Sequence, residues 1–467
     1  LKVGFVSLGC PKNLVDSEVM MGQLMARGHE LTTHPDQADV LVVNTCSFID
    51  PAKKESIDTI LEMAEYKRVG RAKKLIVAGC LVERYRGDIQ KDMPEVDAVI
   101  GTNELDKIVA ACEGLEDQST PPENGLYLYT DLTPRVLATP KHFAYSKIAE
   151  GCDHPCTFCV IPQYRGKFRS RRFESVVSEA TRLFSQGVRE INLIGQDTTC
   201  YGEDFGLKDG LAVLLARLAQ IETPQPKWVR FLYAYPNKVT QKLLDTIAEH
   251  DSLVKYIDMP LQHASANVLK RMKRGANGDI FLKLIERIRK TIPGVAIRTS
   301  FIAGFPGETE ADFDELCQFV EAAKLDRLGV FSYSDEDTSR SHELDGKVDG
   351  RTINNRKRRL MAIQRKISAK KNKTLVGTEV DVLVEGLSPD TDLLWQARMS
   401  TQAPEIDGVV LINDVEGAEP RAGQMRRLRI TETHDYDIIG TLLESAEQGI
   451  PAYQIPNPAP PQLIQIV

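Results

Sequence analysis

Cys152, Cys156 and Cys159 are spaced C-x3-C-x2-C within Glu150-Gly151-Cys152-Asp153-His154-Pro155-Cys156-Thr157-Phe158-Cys159. Three thiolates on one tight loop can hold three irons of a four-iron four-sulfur cluster and leave the fourth iron open to another ligand. A structural zinc site needs four closed ligands. The only local candidate for the fourth is His154, and its position inside the loop does not give finger spacing. Three further cysteines each follow an apolar run: Val6-Ser7-Leu8-Gly9-Cys10, Val42-Val43-Asn44-Thr45-Cys46 and Val77-Ala78-Gly79-Cys80. Two readings stay open for them, small buried residues that end strands or a second cluster-binding triad. Cys112, Cys200 and Cys317 lack any such spacing and read as packing residues.

These residues need elements to position them. Residues 1–112 alternate β-rich runs (3–8, 40–43, 75–77, 96–100) with helical stretches (about 13–27 and 52–66), the pattern of an open, mostly parallel α/β layer. In such a sheet the carboxyl ends of the strands share one edge, where Cys10, Cys46 and Cys80 would converge. Residues 113–140 read as a linker. Residues 141–346 carry candidate strands at 146–149, 190–194, 229–233, 256–259, 296–302 and 328–333, which fits a partial (β/α)6 barrel of TIM type with the Cys152 loop directly after its first strand. A basic connector helix is expected over 347–373 and a small β-barrel over 374–444, with strands at 379–384, 393–399, 408–412 and 426–431. Residues 445–467, with Pro456, Pro458, Pro460 and Pro461, read as a disordered tail.

The chain has 467 residues and 42% apolar content, which excludes a small disulfide-stapled module. No run approaches the ~18 apolar residues of a membrane span, and the first residues lack the pattern of a secretion signal, so a cytoplasmic protein with no membrane partner is expected. Nine cysteines, an odd number, point to metal or redox chemistry rather than disulfides. The net charge of −7 is unevenly spread: −7 over 1–140, 0 over 141–346, +10 over 347–373 and −9 over 374–444.

The C-x3-C-x-aromatic-C loop, with Phe158 in the aromatic place, resembles that of the radical S-adenosylmethionine (radical SAM) superfamily. The order of a three-cysteine domain, this barrel and a small β-barrel resembles the methylthiotransferases, whose last domain is called TRAM. The resemblance implies a transferase with two 4Fe–4S clusters and S-adenosylmethionine as radical source and methyl donor, converting C–H to C–SCH3. It further implies an electron donor as partner. One branch modifies an adenosine beside the tRNA anticodon. Another modifies the β-carbon of an aspartate in the small-subunit ribosomal protein S-twelve. Ser7-Leu8-Gly9-Cys10-Pro11-Lys12-Asn13 and the run from Pro140 to His154 resemble the second branch, whereas the tRNA branch tends to carry Gln-Met-Asn after its first cysteine. Pro155 departs from the basic residue usual there.

Charge gives a separate argument, since a domain that grips RNA should be basic. Glu379, Asp381, Glu385, Asp390, Asp392, Asp407, Asp414 and Glu416 repel phosphate and suit a basic protein, or form a merely solvated face. The connector either reaches ribosomal RNA or packs against the acidic barrel. By the resemblance, Gly195, Gln196 and Asp197 contact the cofactor's amino group, and Arg298, Ser300, Gly304 and Glu308, at the carboxyl end of the fifth strand and the next turn, contact ribose and adenine. Arg165, Lys167, Arg169, Arg171 and Arg172 either bind a carboxylate of cofactor or substrate, or form a solvent-facing basic helix start. A non-catalytic iron–sulfur scaffold is the alternative from another class.

Overall fold

The computed structural model describes residues 1–115, 127–444 and 463–464. Strands β1 (Lys2–Ser7), β2 (Glu30–Thr32), β3 (Val40–Thr45), β4 (Lys74–Gly79) and β5 (Ala98–Ile100) form an all-parallel sheet in the order β2-β1-β3-β4-β5. β3 is buried at every position, as its uninterrupted apolar run requires in a sheet covered on both faces. The helices α1 (Pro11–Ala26), α2 (Asp50–Val69) and α3 (Cys80–Asp92) start at or just after the strand ends. α1 begins two residues earlier than the sequence pattern suggests because Pro11 suits the first helical turn, where no backbone N–H is needed. The three-residue edge strand β2 has no apolar run that would announce it.

The second unit contains β6 (Phe143–Lys147), β7 (Ala149–Glu150), β8 (Arg169–Ser170), β9 (Glu190–Ile194), β10 (Trp228–Phe231), β11 (Tyr256–Asp258), β12 (Ala296–Ala303) and β13 (Arg327–Ser332). Two parallel sheets, β6-β9-β10 and β11-β12-β13, are joined by a parallel bridge between Val229 and Leu253. Among the described residues no pairing closes β13 onto β6, so the barrel is partial and open. The first strand begins three residues before the expected Ser146, with Phe143 opposite Glu190. The β7–β8 ribbon brackets the loop carrying Cys152, Cys156 and Cys159. Strand alternation gives the sheet two faces. Ala144, Ile191, Leu193, Val229 and Ile257 pack under the surrounding helices. Phe143, Tyr145, Trp228 and Tyr256 instead pack with Val15 and Val19 of α1 and with Leu383 and Ala403 of the last domain.

That last domain is a closed barrel of β14 (Glu379–Ser388), β15 (Thr391–Met399), β16 (Val410–Val415), β17 (Met425–Thr433) and β18 (Ile438–Leu442), in the order β14-β15-β16-β18-β17. β18 is a strand the sequence pattern missed. The domain docks through buried polar contacts. Arg398 pairs with Glu190 at 2.7 Å, Tyr256 Oη donates to Asp407 at 2.7 Å, and Tyr145 Oη donates to Glu405 at 2.9 Å. The expected acidic face is therefore partly internal: Glu385 pairs with Arg398, and Asp407 lies 3.9 Å from Arg298 and Arg327. The connector helix Gly350–Lys373 directs Arg356 to Glu308, Arg359 to Asp314 and Lys371 to Asp326, all in the open barrel. Only Arg365, 3.7 Å from Asp435, pairs with the acidic barrel.

The described part of the linker is packed rather than loose. Buried Arg135 bonds Glu18 at 2.6 Å and Glu179 at 2.8 Å, strapping α1 to the open barrel. A side chain at Gly22 would strike the backbone of Pro134 and Arg135, so the strap needs glycine there. The rest of the linker lies outside the described residues, as does the tail except Leu463 and Ile464. Ile464 is buried and donates its N–H to the Phe5 carbonyl at 2.7 Å.

Arg135→Met leaves Glu18 without its guanidinium and should cost about 3–5 kcal/mol in denaturant unfolding. Glu179, beside Arg171 and Arg135, and Glu385, beside Arg398, titrate at about 2, below the usual 4.5, because those guanidiniums outweigh the cost of burial. Their folded-state affinity for protons is the lower one, so their stabilisation is complete above the unfolded value and is lost as pH falls toward 2. Thermal unfolding recorded from pH 6 to pH 3 should show a falling midpoint, and a flat profile would contradict it.

Candidate active site at a domain seam

Cys10, Cys46 and Cys80 follow β1, β3 and β4, three adjacent strands of the first sheet, and so gather at one edge. Two glycines permit the approach. Gly9 has φ +86°, and a Cβ there would lie 2.7 Å from the Cβ of Cys46; Gly79 has φ +95°, and its Cβ would strike the Asn44 amide. Buried Asn13 pins the loops by donating to the Leu8 carbonyl at 2.7 Å and the Thr45 carbonyl at 3.1 Å. Burial, with Cys10 and Cys80 close by, pushes the Cys46 thiol up to about 12.

The second triad lies on the loop after β7. Burial pushes Cys152 up to about 11 and Cys159 to about 12, and neighbouring thiols add to both. Such groups become thiolates only when a cation compensates them. Three thiols per triad leave a structural zinc one ligand short of its usual four, whereas they match a four-iron cluster with one open iron. His154 is not aimed at a fourth position: its ring stacks on Tyr235 at 3.8 Å and its Nε2 lies 2.5 Å from Asp197. Each triad also receives a guanidinium, Arg165 at 3.4 Å from Cys80 Sγ and Arg274 at 3.6 Å from Cys156 Sγ.

A buried charge cluster joins the two loops. Lys147 holds Asp16 of α1 and Glu150 of β7, and Arg165 lies 2.6 Å from Asp16 and 3.2 Å from Glu150. Arg165 and Lys147 hold the Glu150 carboxyl well below the usual range despite its burial. Arg165 and Arg171 are thus occupied by the chain's own acids, the latter by Glu179, and do not form the solvent-facing helix start that was one reading of this run. Arg169 donates to the Asn103 side chain and to carbonyls.

The residues expected around S-adenosylmethionine are spread over several environments. Gln196, after β9, donates to Glu150 at 2.5 Å, while its carbonyl oxygen is buried without a partner. Both amide atoms of Asn192 in β9 are likewise buried and unpartnered, orphans that a bound cofactor or water would satisfy. Asn192 was missed, although a polar residue in the run Glu190-Ile191-Asn192-Leu193-Ile194 was a usable signal. Gly195 follows directly on β9, and Asp197 is engaged by His154, Thr199 and Cys200. Phe158 meets Phe305 edge-on at 6.5 Å. Arg298 is the third residue of β12, not at its carboxyl end, and pairs with Asp258 at 2.7 Å. Ser300 lies mid-strand. Gly304 donates its N–H to Glu308 at 2.8 Å, and fully buried Glu308 also takes Phe305 N–H and Arg356. Lys12 and Arg274 were overlooked as well; both are buried cations facing the triads.

The chain matches the models of the uncharacterized protein family UPF0004 over residues 2–101, the radical SAM superfamily over 146–320 and the TRAM domain over 376–443. It is 82% identical to the ribosomal protein uS12 methylthiotransferase RimO of Solibacter usitatus, covering 100% of this chain and 99% of that one. Identity to the protein of the same name from Koribacter versatilis is 60%, covering 95% of this chain and 96% of the relative. The radical S-adenosylmethionine methyltransferase TsrM of Kitasatospora setae, 14% identical, shares the fold with a TM-score of 0.53 over 71% of this chain and 74% of that one. With its three units in the same order and its whole length matched, the chain belongs to the uS12 methylthiotransferase RimO family of radical SAM enzymes.

Proposed function

We propose that this protein is a methylthiotransferase acting on an aspartate of ribosomal protein uS12. The carrying observation is end-to-end similarity to relatives of that name in a chain whose two thiol triads lie on the carboxyl edges of two parallel sheets and face one seam. Cys152, Cys156 and Cys159 would hold a 4Fe–4S cluster that binds S-adenosylmethionine, and Cys10, Cys46 and Cys80 a second cluster; no disulfide among the described residues ties up these thiols. When bound, the first cluster and its cofactor supply one-electron cleavage of the sulfonium and hydrogen abstraction from carbon.

The chain's own residues then have three tasks. Gln196, Gly195 and Asn192 offer polar atoms to the cofactor, with Arg298 and Ser300 further along the inner face. Arg165 and Arg274 place a positive charge against each triad, which stabilises thiolate and favours the reduced state of a cluster. The Asp16, Lys147, Glu150 and Arg165 cluster holds the loops in fixed register and keeps bulk water from the seam, as a reactive radical requires. Asp390, Asp392 and Asp414, exposed and without an ion pair among the described residues, remain to attract a basic protein and repel phosphate. A reductant from outside must deliver the electron. A cytoplasmic site of action accords with a substrate on the ribosome, and no helix among the described residues is long and apolar enough to cross a membrane.

Incubation of the anaerobically reduced protein with S-adenosylmethionine and either uS12 or tRNA should give a methylthio mass increase on uS12 alone. Modification of tRNA only would overturn the substrate reading, and absence of 5′-deoxyadenosine would favour a non-catalytic scaffold. Replacing Cys152, Cys156 or Cys159 by Ala should abolish cofactor cleavage. Replacing Cys10, Cys46 or Cys80 should spare cleavage yet stop methylthiolation, with roughly half the iron lost in either set.

A further inference from the structure

The seam contains a buried cation that the chain does not neutralise. Lys12 is 9% exposed, in the first turn of α1 two residues after Cys10. Its Nζ sits 3.4 Å from the centre of the Tyr233 ring, just beyond β10 at the carboxyl end of the open barrel. The groups that face it are Tyr233, Cys10 and Arg165; among the described residues no carboxylate lies within ion-pair distance. Most other buried cations nearby are paired with an acid: Lys147 with Asp16 and Glu150, Arg165 with the same two, Arg171 and Arg135 with Glu179, Arg298 with Asp258; Arg274, which meets the Tyr235 ring and the Pro260 carbonyl, is the other one without a carboxylate among the described residues.

An ammonium taken out of water without a counter-charge is costly, and the ring of Tyr233 offsets only part of that cost. The backbone around the ring is itself unusual. Tyr233 has φ +66°, a conformation rare for an aromatic residue, and its N–H is fixed by Asp258 Oδ2 at 3.0 Å. The amino end of α1 adds the positive end of the helix dipole, with no acidic residue in its first turn and no side-chain cap. With the Cys10 thiolate the one anion beside Lys12 when a cluster is held, a carboxylate is what this corner lacks.

Position decides which anion. Lys12 lies beside Cys10, on the side of the first triad. Tyr235, two residues beyond Tyr233, is the group that faces Cys152 and Cys156, and Arg274 stacks on it at 4.2 Å. A carboxylate brought in by the radical-generating cofactor thus meets Arg274 before Lys12, and the corner at Lys12 is left for the carboxylate of the acceptor.

Resting on the proposed function, we propose that Lys12 binds the side-chain carboxylate of the aspartate to be modified, with Tyr233 as its platform, and thereby selects an acidic side chain. The ammonium would hold the carboxylate while the adjacent β-carbon faces the seam between the triads. Lys12 is then a substrate-positioning residue rather than a cluster ligand.

The test uses the full-length, iron-loaded protein and two peptides spanning the modified aspartate of uS12, one with the native aspartate and one with asparagine in its place. Calorimetry on the unaltered protein should show the aspartate peptide binding roughly ten- to hundredfold more tightly, the worth of one charge-assisted contact. In Lys12→Met that preference should vanish, with the asparagine peptide bound as before. In Lys12→Arg it should persist. Titration with S-adenosylmethionine alone should give the same affinity in all three proteins. A preference that survives Lys12→Met, an equal weakening of both peptides, or a selective loss of S-adenosylmethionine affinity would each overturn the assignment, the last by giving Lys12 to the cofactor. Loss of iron from both variants would overturn it too, by making Lys12 part of the cluster's support. If the unaltered protein methylthiolates tRNA and not uS12, the proposed function itself has failed, an outcome distinct from any of these.

Discussion

The buried charge cluster of Asp16, Lys147, Glu150 and Arg165 is the constraint on which the arrangement depends. Two acids and two bases from α1, β6, β7 and the segment after the Cys152 loop are removed from water together. Separating the first domain from the open barrel would leave them uncompensated, so the cluster specifies one relative position of the two sheets more sharply than apolar packing would. Gln196 and Cys80 are attached at its two ends, through Glu150 and Arg165. A contact with the loop after β9 and a contact with the first thiol triad therefore belong to one hydrogen-bonded unit.

Apolar packing serves this geometry rather than setting it. The face of the open barrel that looks away from its helices needs cover, and it receives it from α1 on one side and from the last barrel on the other. That explains a C-terminal domain held by Arg398, Glu190, Arg230 and Asp407 instead of by a flexible tether. It also explains why segment charge overstates the acidic surface: several of the acids in 374–444 neutralise arginines at the interface or on neighbouring strands. Acids that are exposed and also without an ion pair among the described residues are a smaller set, on the β14–β15 hairpin, on β16 and in the loop that follows it.

Much of the site was legible in the chain. Cys152, Cys156 and Cys159 declare themselves because a local loop fixes their spacing, and Cys10, Cys46 and Cys80 because parallel strands end on one edge whatever the intervening sequence. The parallel sheet, the partial barrel and the small β-barrel followed from periodicity. Arg165 and Arg171 show the limit. In the sequence they look like a basic run free to bind a carboxylate, and they are consumed by Asp16, Glu150 and Glu179 from distant segments. Arg298 and Glu308 are likewise paired with residues that lie far away in the chain.

From the chain alone come the two cysteine triads and the order of domains, which rest on local spacing and on periodic burial, while the class of reaction came with the resemblance to a family. Tertiary structure alone decided which charges cancel. A buried ion pair joins residues that proximity in the chain does not announce, so only the fold shows that Arg165 is paired with acids while Lys12, two residues from a cysteine, has no carboxylate beside it.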